Sequence, residues 1–266
     1  MVIDFHTHCF SDKIADKAME RLTAISQYRP HTPGTLKGLK ESMARAGIDV
    51  SVVLNIATNP GQVANVNNWA IESNREEGIV SFGSVHPEYK DFKAEIKRLS
   101  ANGVRGLKFH PDYQKFFVDE KEYFPIYEAA ACEGLIMQFH CGKDLGLRDV
   151  LHCTPERFIK VVNAFPGAVI IGAHLGGQGM WDEVFAHLIG KEVYLDTSFG
   201  FKFMTQAEID RVLDGHNTDK ILFATDAPWQ DQKTEAEEMR EFVSDKALLD
   251  KILYKNAARL LGLKGV

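Results

Sequence analysis

The sequence alternates short apolar segments with longer amphipathic ones. Eight segments have the length and apolar content of buried β-strands: residues 2–6, 49–56, 80–85, 104–109, 135–140, 168–174, 193–198 and 221–225. The stretches between them carry apolar residues at the three- or four-residue spacing of helices: residues 35–46, 62–77, 92–101, 122–133, 155–165, 181–189, 207–213 and 233–243. Apolar strands separated by helices predict a parallel sheet covered on both faces.

Eight such units fit a closed barrel better than an open sheet. We therefore predict one α/β domain over residues 1–266, a (β/α)8 TIM barrel. A last helix over residues 246–261 would pack outside the barrel and stop at Gly262. Residues 26–34 are irregular, and we expect them to overhang the mouth of the barrel.

Composition excludes several classes of function. The net charge is −6 without a basic cluster, which argues against a nucleic-acid partner. No apolar run approaches the length of a membrane span, and we recognise no secretory signal. The four cysteines form no CxxC pair, so we expect a reduced, cytoplasmic protein. The partner that we expect is a small-molecule substrate. A monomer and a homo-oligomer both fit the sequence.

Histidines concentrate where the predicted strands end. His6 and His8 close the first strand, and because side chains alternate along a strand, both project to the same side. Six of the ten histidines lie at or just after the end of a predicted strand: His6, His8, His86, His110, His140 and His174. Asp226 ends the eighth strand. In a barrel these carboxyl ends meet on one rim, where active sites are built.

Four motifs occur in order along the chain: Asp4-Phe5-His6-Thr7-His8, Gln138-Phe139-His140, Ala173-His174-Leu175-Gly176-Gly177 and Thr225-Asp226. Together they resemble the amidohydrolase superfamily, and more narrowly its amidohydrolase-related branch. That branch holds 2-amino-3-carboxymuconate-semialdehyde decarboxylase, resorcylate-type decarboxylases and lactonases such as 2-pyrone-4,6-dicarboxylate lactonase. The resemblance spans nearly the whole chain.

The resemblance implies a single metal ion, Zn²⁺ or Mn²⁺, held by His6, His8, His140 and Asp226. Such a set leaves coordination positions open for water or substrate, as catalysis requires. Asp226 would also accept a proton, and His174 would act as an acid or an orienting donor rather than as a ligand. A turn role before Pro228 is the plain alternative for Asp226.

Lys108 lies two residues before His110 on the fourth predicted strand, so both should face inward. A lysine inside a barrel is costly unless it is paired or functional. Binuclear amidohydrolases carry a carboxylated lysine on this strand, but the branch resembled here is mononuclear. We therefore favour a Lys108 that binds a substrate carboxylate or pairs with an acid. Other candidate substrate contacts are His86, His110, Tyr113, Arg148, Trp181 and Trp229.

Three functions fit these residues. The first is a metal-dependent hydrolase of a small lactone, amide or ester, acting through a metal-activated water. The second is a metal-dependent non-oxidative decarboxylase of a small aromatic or muconate-type acid. The third is a barrel that has lost catalysis and only binds a ligand, which the intact ligand residues disfavour.

Overall fold

The computed structural model describes residues 1–147 and 150–263 and confirms the eight predicted strands. Each strand overlaps its predicted segment: β1 Ile3–Thr7, β2 Val50–Leu54, β3 Ile79–Phe82, β4 Gly106–Phe109, β5 Ile136–Phe139, β6 Ile170–Gly172, β7 Tyr194–Asp196 and β8 Ile221–Leu222. Their side chains are mostly buried, as expected of strands covered on both faces.

The strands pair in parallel and in chain order, in two groups, β1–β3 and β4–β8. A parallel bridge between Gly83 and Leu107 joins β3 to β4. A second bridge joins Thr7 to Ala227, and Phe5 N donates to Phe223 O over 2.9 Å, which brings β8 back to β1. The sheet is therefore closed, and the predicted (β/α)8 barrel is confirmed.

Helices follow the strands around the barrel. Their bounds are α1 Ala15–Ser26, α2 Leu36–Ala46, α3 Val63–Ser73, α4 Phe92–Ala101, α5 Pro111–Gln114, α6 Phe124–Cys132, α7 Pro155–Ala164, α8 Trp181–His187, α9 Gln206–Gly215, α10 Gln232–Phe242, α11 Lys246–Asp250 and α12 Asn256–Leu261. A π-helical segment, Lys251–Lys255, joins α11 to α12, so the last predicted helix is continuous but locally underwound. Gly262 ends it in the left-handed conformation, as predicted.

Local sequence signals explain which helices could be predicted. Helix α7 begins with Thr154, whose side chain accepts from Arg157 N, and with Pro155 at the first helical position. Helix α1, which the sequence analysis missed, follows Ile14 and has no side-chain cap. It lies within the long segment between β1 and the predicted helix that became α2.

The apolar interior places the functional end of the barrel. Phe5 and Phe82 pack edge to face with ring centroids 6.0 Å apart, and both are fully buried. The apolar cluster around them extends to Ala257 and Leu261 of α12. His6 of β1, His140 after β5 and Asp226 after β8 therefore lie beyond this cluster, toward the carboxyl ends of the strands. None of the helices in the described part of the chain has the length and hydropathy that a bilayer span needs.

Candidate metal centre

The first two histidines of the site are fixed in one tautomer by their neighbours. His6 Nδ1 lies 2.9 Å from Asp196 Oδ2, and His8 Nδ1 lies 2.8 Å from the carbonyl oxygen of Leu54. Since both partners are acceptors, Nδ1 carries the proton in each ring. Each neutral ring therefore has a free lone pair on Nε2, and these two nitrogens are 3.1 Å apart.

His174 is fixed in the same way. Its Nδ1 lies 3.1 Å from the carbonyl oxygen of Ser198, which can only accept, so its Nε2 also presents a lone pair. His140 joins the group through its Nδ1, which lies 3.0 Å from His174 Nε2. The ring centroids of His6 and His174 are 5.1 Å apart.

Asp226 brings a carboxylate oxygen to the same point. Its Oδ1 lies 3.2 Å from His6 Nε2 and 3.0 Å from His8 Nε2. Oδ1 is nevertheless buried and has no hydrogen-bond partner of good geometry among the described residues. This is expected, because neither Nε2 carries a proton to give. Ligand atoms of His6, His174 and Asp226 all lie within 4.8 Å of one another.

Lone pairs and a carboxylate oxygen at about 3 Å repel one another unless a cation lies between them. The donor set of neutral imidazoles and one carboxylate suits Zn²⁺ or Mn²⁺. Metal-binding histidines ordinarily donate their other ring N–H to a carboxylate or a backbone carbonyl, as His6 does to Asp196 and His8 does to Leu54. The residues present therefore fit a divalent ion, and the ion would be held by His6, His8 and Asp226 with His140 or His174.

The pKa shifts of these residues favour neutral histidines and an ionised Asp226 at neutral pH. Burial holds the pKa of His6 and of His140 well below the usual range of histidine, and it lowers the pKa of His174. Burial opposes ionisation of Asp226, but attraction to the protonated forms of His6 and His8 lowers its pKa to about 2. At neutral pH the site therefore offers uncharged imidazoles and an ionised carboxylate.

Lys108 lies inside the barrel, as predicted, and is fully buried. Its Nζ is 3.3 Å from His6 Nε2. Within residues 1–147 and 150–263, no carboxylate oxygen lies within ion-pairing distance of it. Burial lowers the pKa of Lys108, while Asp196 and Asp226 act in the opposite direction. Its amine is thus positioned at the ligand cluster without a fixed ion-pair partner.

A second polar group adjoins the first. His110 Nε2 lies 3.4 Å from Asp144 Oδ2, and His140 Nε2 lies 3.9 Å from the same oxygen. The rings of His110 and His140 are stacked, with centroids 4.1 Å apart and planes within 9°. His140 therefore belongs to both groups: Nδ1 faces His174, and Nε2 faces Asp144.

The remaining predicted contacts are dispersed. His86 is buried after β3 and accepts from Glu88 N over 3.2 Å, and burial lowers its pKa. Trp229 donates its backbone N–H to Asp226 O over 2.9 Å, and its side chain is half-buried. Tyr113 packs edge to face on His110 with centroids 4.5 Å apart. Arg148 lies outside the described residues, so its predicted role stays a prediction.

Strained backbone also marks this rim. Left-handed φ angles at residues other than glycine occur at His174 (57°), Leu175 (55°), Phe199 (46°) and Asp226 (63°). Such conformations cost energy and are typical of functional sites. Asp226 is held in place by its backbone N–H, which donates to His6 O over 2.7 Å.

The sequence analysis missed several residues that build the site. Asp196 ends β7, so the same rule that found Asp226 could have found it. Phe199 had no sequence signal. In the structure its ring centroid lies 5.9 Å from that of His174 and 5.8 Å from that of Tyr28, which follows α1. Asp144 follows β5 in a loop that carries no motif.

Comparison with known proteins identifies the family. The model of the amidohydrolase family matches residues 3–263. The chain belongs to the amidohydrolase family. This confirms the resemblance inferred from the four motifs. A comparison with curated proteins found no match.

Solved structures of this amidohydrolase's fold cover almost the whole chain. An uncharacterised TIM-barrel protein from Bordetella bronchiseptica has a TM-score of 0.76 at 20% identity, over 98% of both chains. A 2,6-dihydroxybenzoate decarboxylase from Rhizobium has a TM-score of 0.74 at 14% identity, over 99% of both chains. A 5-carboxyvanillate decarboxylase from Novosphingobium aromaticivorans with bound manganese has a TM-score of 0.73 at 13% identity, over 99% of this chain and 97% of the other. At these identities the likeness establishes the fold.

Proposed function

We propose that this amidohydrolase is a metal-dependent, non-oxidative decarboxylase of a small aromatic or muconate-type carboxylic acid. The sequence analysis gave first place to a hydrolase with the same ligands. Two observations support the decarboxylase better. One is an aromatic wall beside the ligand cluster, and the other is that two of the similar solved structures are decarboxylases of substituted benzoates.

The main support for the proposal is the aromatic wall, which consists of Phe199, Phe203 and Tyr28. Phe199 packs edge to face on His174, and it stacks on Phe203 with ring centroids 5.8 Å apart and planes within 11°. Tyr28 meets the other side of Phe199. The N–H of Phe199 donates to Gln230 Oε1 over 3.0 Å, which holds the ring in its strained position. Phe199 itself is buried, so a flat conjugated substrate would contact the exposed parts of Tyr28 and Phe203, with its polar substituents toward the histidines.

Decarboxylation breaks the bond between a ring carbon and the carboxylate carbon. The bonding electrons remain on the ring, CO₂ leaves, and a proton must be delivered to the same ring carbon. His174 and Asp226 would hold that proton; in support, both are buried and their ligand atoms lie within 4.8 Å of each other. A bound divalent ion would supply a fixed positive charge that stabilises the negative charge developing on the substrate.

Lys108 suits the same reaction. A carboxylate entering the barrel would meet the buried Lys108 amine beside His6. A charge-assisted hydrogen bond to Lys108 would anchor the substrate, and the resulting pair would be shielded from water. His86, His110, Arg148 and Trp229 remain proposed contacts for the other substituents.

A substrate panel tests the proposal. The purified protein, loaded with Mn²⁺ or Zn²⁺, is incubated with hydroxybenzoates, amino-substituted muconate-type acids and, in parallel, small lactones and esters. We expect CO₂ release from at least one acid and loss of that release on treatment with a chelator. Hydrolysis of a lactone or ester without CO₂ release from any acid would overturn the proposal in favour of the hydrolase.

A further inference from the structure

His140 differs from the other histidines of the site because its outer nitrogen, the ring nitrogen that faces away from the ligand cluster, has no hydrogen-bond partner among the described residues. His6, His8 and His174 each have an acceptor at 2.8–3.1 Å behind Nδ1. The outer nitrogen of His140 is Nε2, which is buried and has no hydrogen-bond partner in the described part of the chain. No acceptor among the described residues therefore holds a proton on His140 Nε2.

Metal binding requires that proton to be on Nε2. The inner nitrogen, Nδ1, lies 3.0 Å from His174 Nε2, so it is the nitrogen that faces the ligand point. A neutral imidazole that binds a metal through Nδ1 has to carry its single proton on Nε2. A buried N–H in that position needs an acceptor, because an unmatched buried donor costs roughly 1–3 kcal/mol.

The only carboxylate of the described residues within 4 Å of this nitrogen is that of Asp144, whose Oδ2 lies 3.9 Å away. Its Oδ1 accepts from the backbone N–H groups of Gly146 (2.7 Å) and Leu147 (2.9 Å), which hold the carboxylate in its loop. Burial opposes ionisation, but His110 and the two backbone N–H groups lower the pKa of Asp144. Oδ2 is thus a charged acceptor close to the unmatched nitrogen.

His110 also contacts the Asp144 carboxylate, through the same oxygen, Oδ2. Its Nδ1 accepts from Tyr113 N over 3.4 Å, so its Nε2 keeps a proton and donates it toward Asp144 Oδ2. The ring of His110 is also stacked on that of His140, which confines His140 to its plane. His140 Nε2 and Asp144 Oδ2 are 3.9 Å apart, so the two atoms must approach each other by about 1 Å to reach hydrogen-bond distance.

We propose that Asp144 is a positioning residue for the metal centre. It accepts the Nε2 proton of His140 and so sets Nδ1 as the nitrogen that faces the ion, while His110 holds the carboxylate in place. This inference rests on the proposed metal site. Carboxylate partners of this kind orient a ligand histidine and make it a stronger base, and their loss typically weakens metal affinity about 10–100-fold.

Zinc affinity tests the proposal without reference to catalysis. The dissociation constant of Zn²⁺ is measured by competition with a chelator for the unmodified protein, Asp144→Ala, Asp144→Asn and the control Asp119→Asn. Asp119 pairs with Arg157 and Lys160 outside the site. We expect Asp144→Ala to bind zinc about 10–100-fold more weakly, Asp144→Asn to be intermediate because it keeps an uncharged acceptor, and Asp119→Asn to be unchanged. An Asp144→Ala protein that binds zinc within twofold of the unmodified protein would overturn the proposal.

Nitrogen NMR of the unmodified protein with ¹⁵N-labelled histidine gives a second test that needs no variant to fold. With zinc bound, we expect His140 to carry its proton on Nε2. A proton on Nδ1 with zinc bound would refute the role of Asp144. If the unmodified protein binds no zinc at all, the proposed metal site fails as well, so the two failures are distinguishable from each other and from a missing decarboxylase activity.

Discussion

At the scale of single residues, three of the four ligand candidates are positioned by a partner from another strand. His6 on β1 is held by Asp196 on β7, and His8 is held by Leu54 at the end of β2. Asp226 is tied back to β1 through its own backbone N–H. Since these contacts link β1 and β2 to β7 and to the residues after β8, the site can form only once β8 has closed the barrel against β1.

Asp226 provides the first prediction at this scale. Asp226→Asn keeps the size of the side chain but removes the negative charge that would bind the ion and hold the proton. We expect turnover to fall by roughly 10³-fold or more, with a melting temperature close to that of the unmodified protein. Steady-state kinetics and thermal unfolding measure the two effects, and full activity in this variant would refute the assigned role.

Lys108 provides the second. Lys108→Met keeps the buried volume and removes a buried amine that has no carboxylate partner among the described residues. We expect KM for the acid substrate to rise about 10–100-fold, which corresponds to the loss of one hydrogen bond to a charged group. Metal content should be unchanged, and the melting temperature should not fall. An unaltered KM would show that Lys108 does not anchor the substrate.

At the scale of structural elements, the connection after β5 carries the tightest constraint. Gly142 follows the β5 histidine by two residues and has a left-handed φ of 86°. A Cβ at this position would overlap the backbone of Gln178, to which Gly142 is bridged. Only glycine lets these two loops approach each other so closely.

Replacing this glycine should therefore disturb the metal centre. We expect Gly142→Ala to lower the free energy of unfolding by about 2 kcal/mol or more and to weaken metal binding, because the clash involves backbone that cannot rotate away. Gly134→Ala is the matched control: Gly134 also has a left-handed φ, of 66°, but no atom lies within 4 Å of its Cβ position. The control should cost about 1 kcal/mol, and equal losses in urea unfolding would contradict this account.

Strand β1 shows what the sequence could not predict at this scale. Simple alternation would put Asp4 and His6 on one face, but the register against β2 shifts between Asp4 and Thr7. Asp4 accepts from Thr225 and from Gln232 of α10, whereas His6 faces Asp196 and Lys108. Irregularities of this kind re-aim side chains beside active sites and have no clear sequence signal.

At the scale of the whole molecule, the periodic segments predicted the barrel because eight strand–helix units admit few other closed arrangements. The strand-end rule also brought His6, His8, His174 and Asp226 together, although their assigned roles stay predictions. Asp144, Phe199 and helix α1 could not be found in this way, because each acts through loop conformation or through packing across the mouth of the barrel. Such contacts depend on tertiary structure rather than on local pattern.

The stability of the whole molecule should depend on pH through a buried acid outside the metal centre. Burial raises the pKa of Glu235 from 4.5 to about 7, against the opposing effect of Lys202. Between these values the folded state keeps a proton that the unfolded state has lost, so this group's stabilisation is complete below pH 4.5 and is lost as pH rises through 7.

Glu235→Gln should remove this part of the pH dependence. We expect the free energy of unfolding to fall less between pH 5 and pH 8 in the variant than in the unmodified protein, by roughly 1–3 kcal/mol. Urea unfolding at both pH values measures it, with Glu128→Gln on the surface as the control. The same fall in all three proteins would show that Glu235 does not keep its proton in the folded state.

Anomalous diffraction from crystals grown with Mn²⁺ or Zn²⁺ tests the central claim most directly. The account predicts one peak per chain at roughly 2.0–2.3 Å from His6 Nε2, His8 Nε2, His140 Nδ1 and Asp226 Oδ1. An ion bound by His110 and Asp144 instead, or a protein that takes up no ion at this rim, would contradict it.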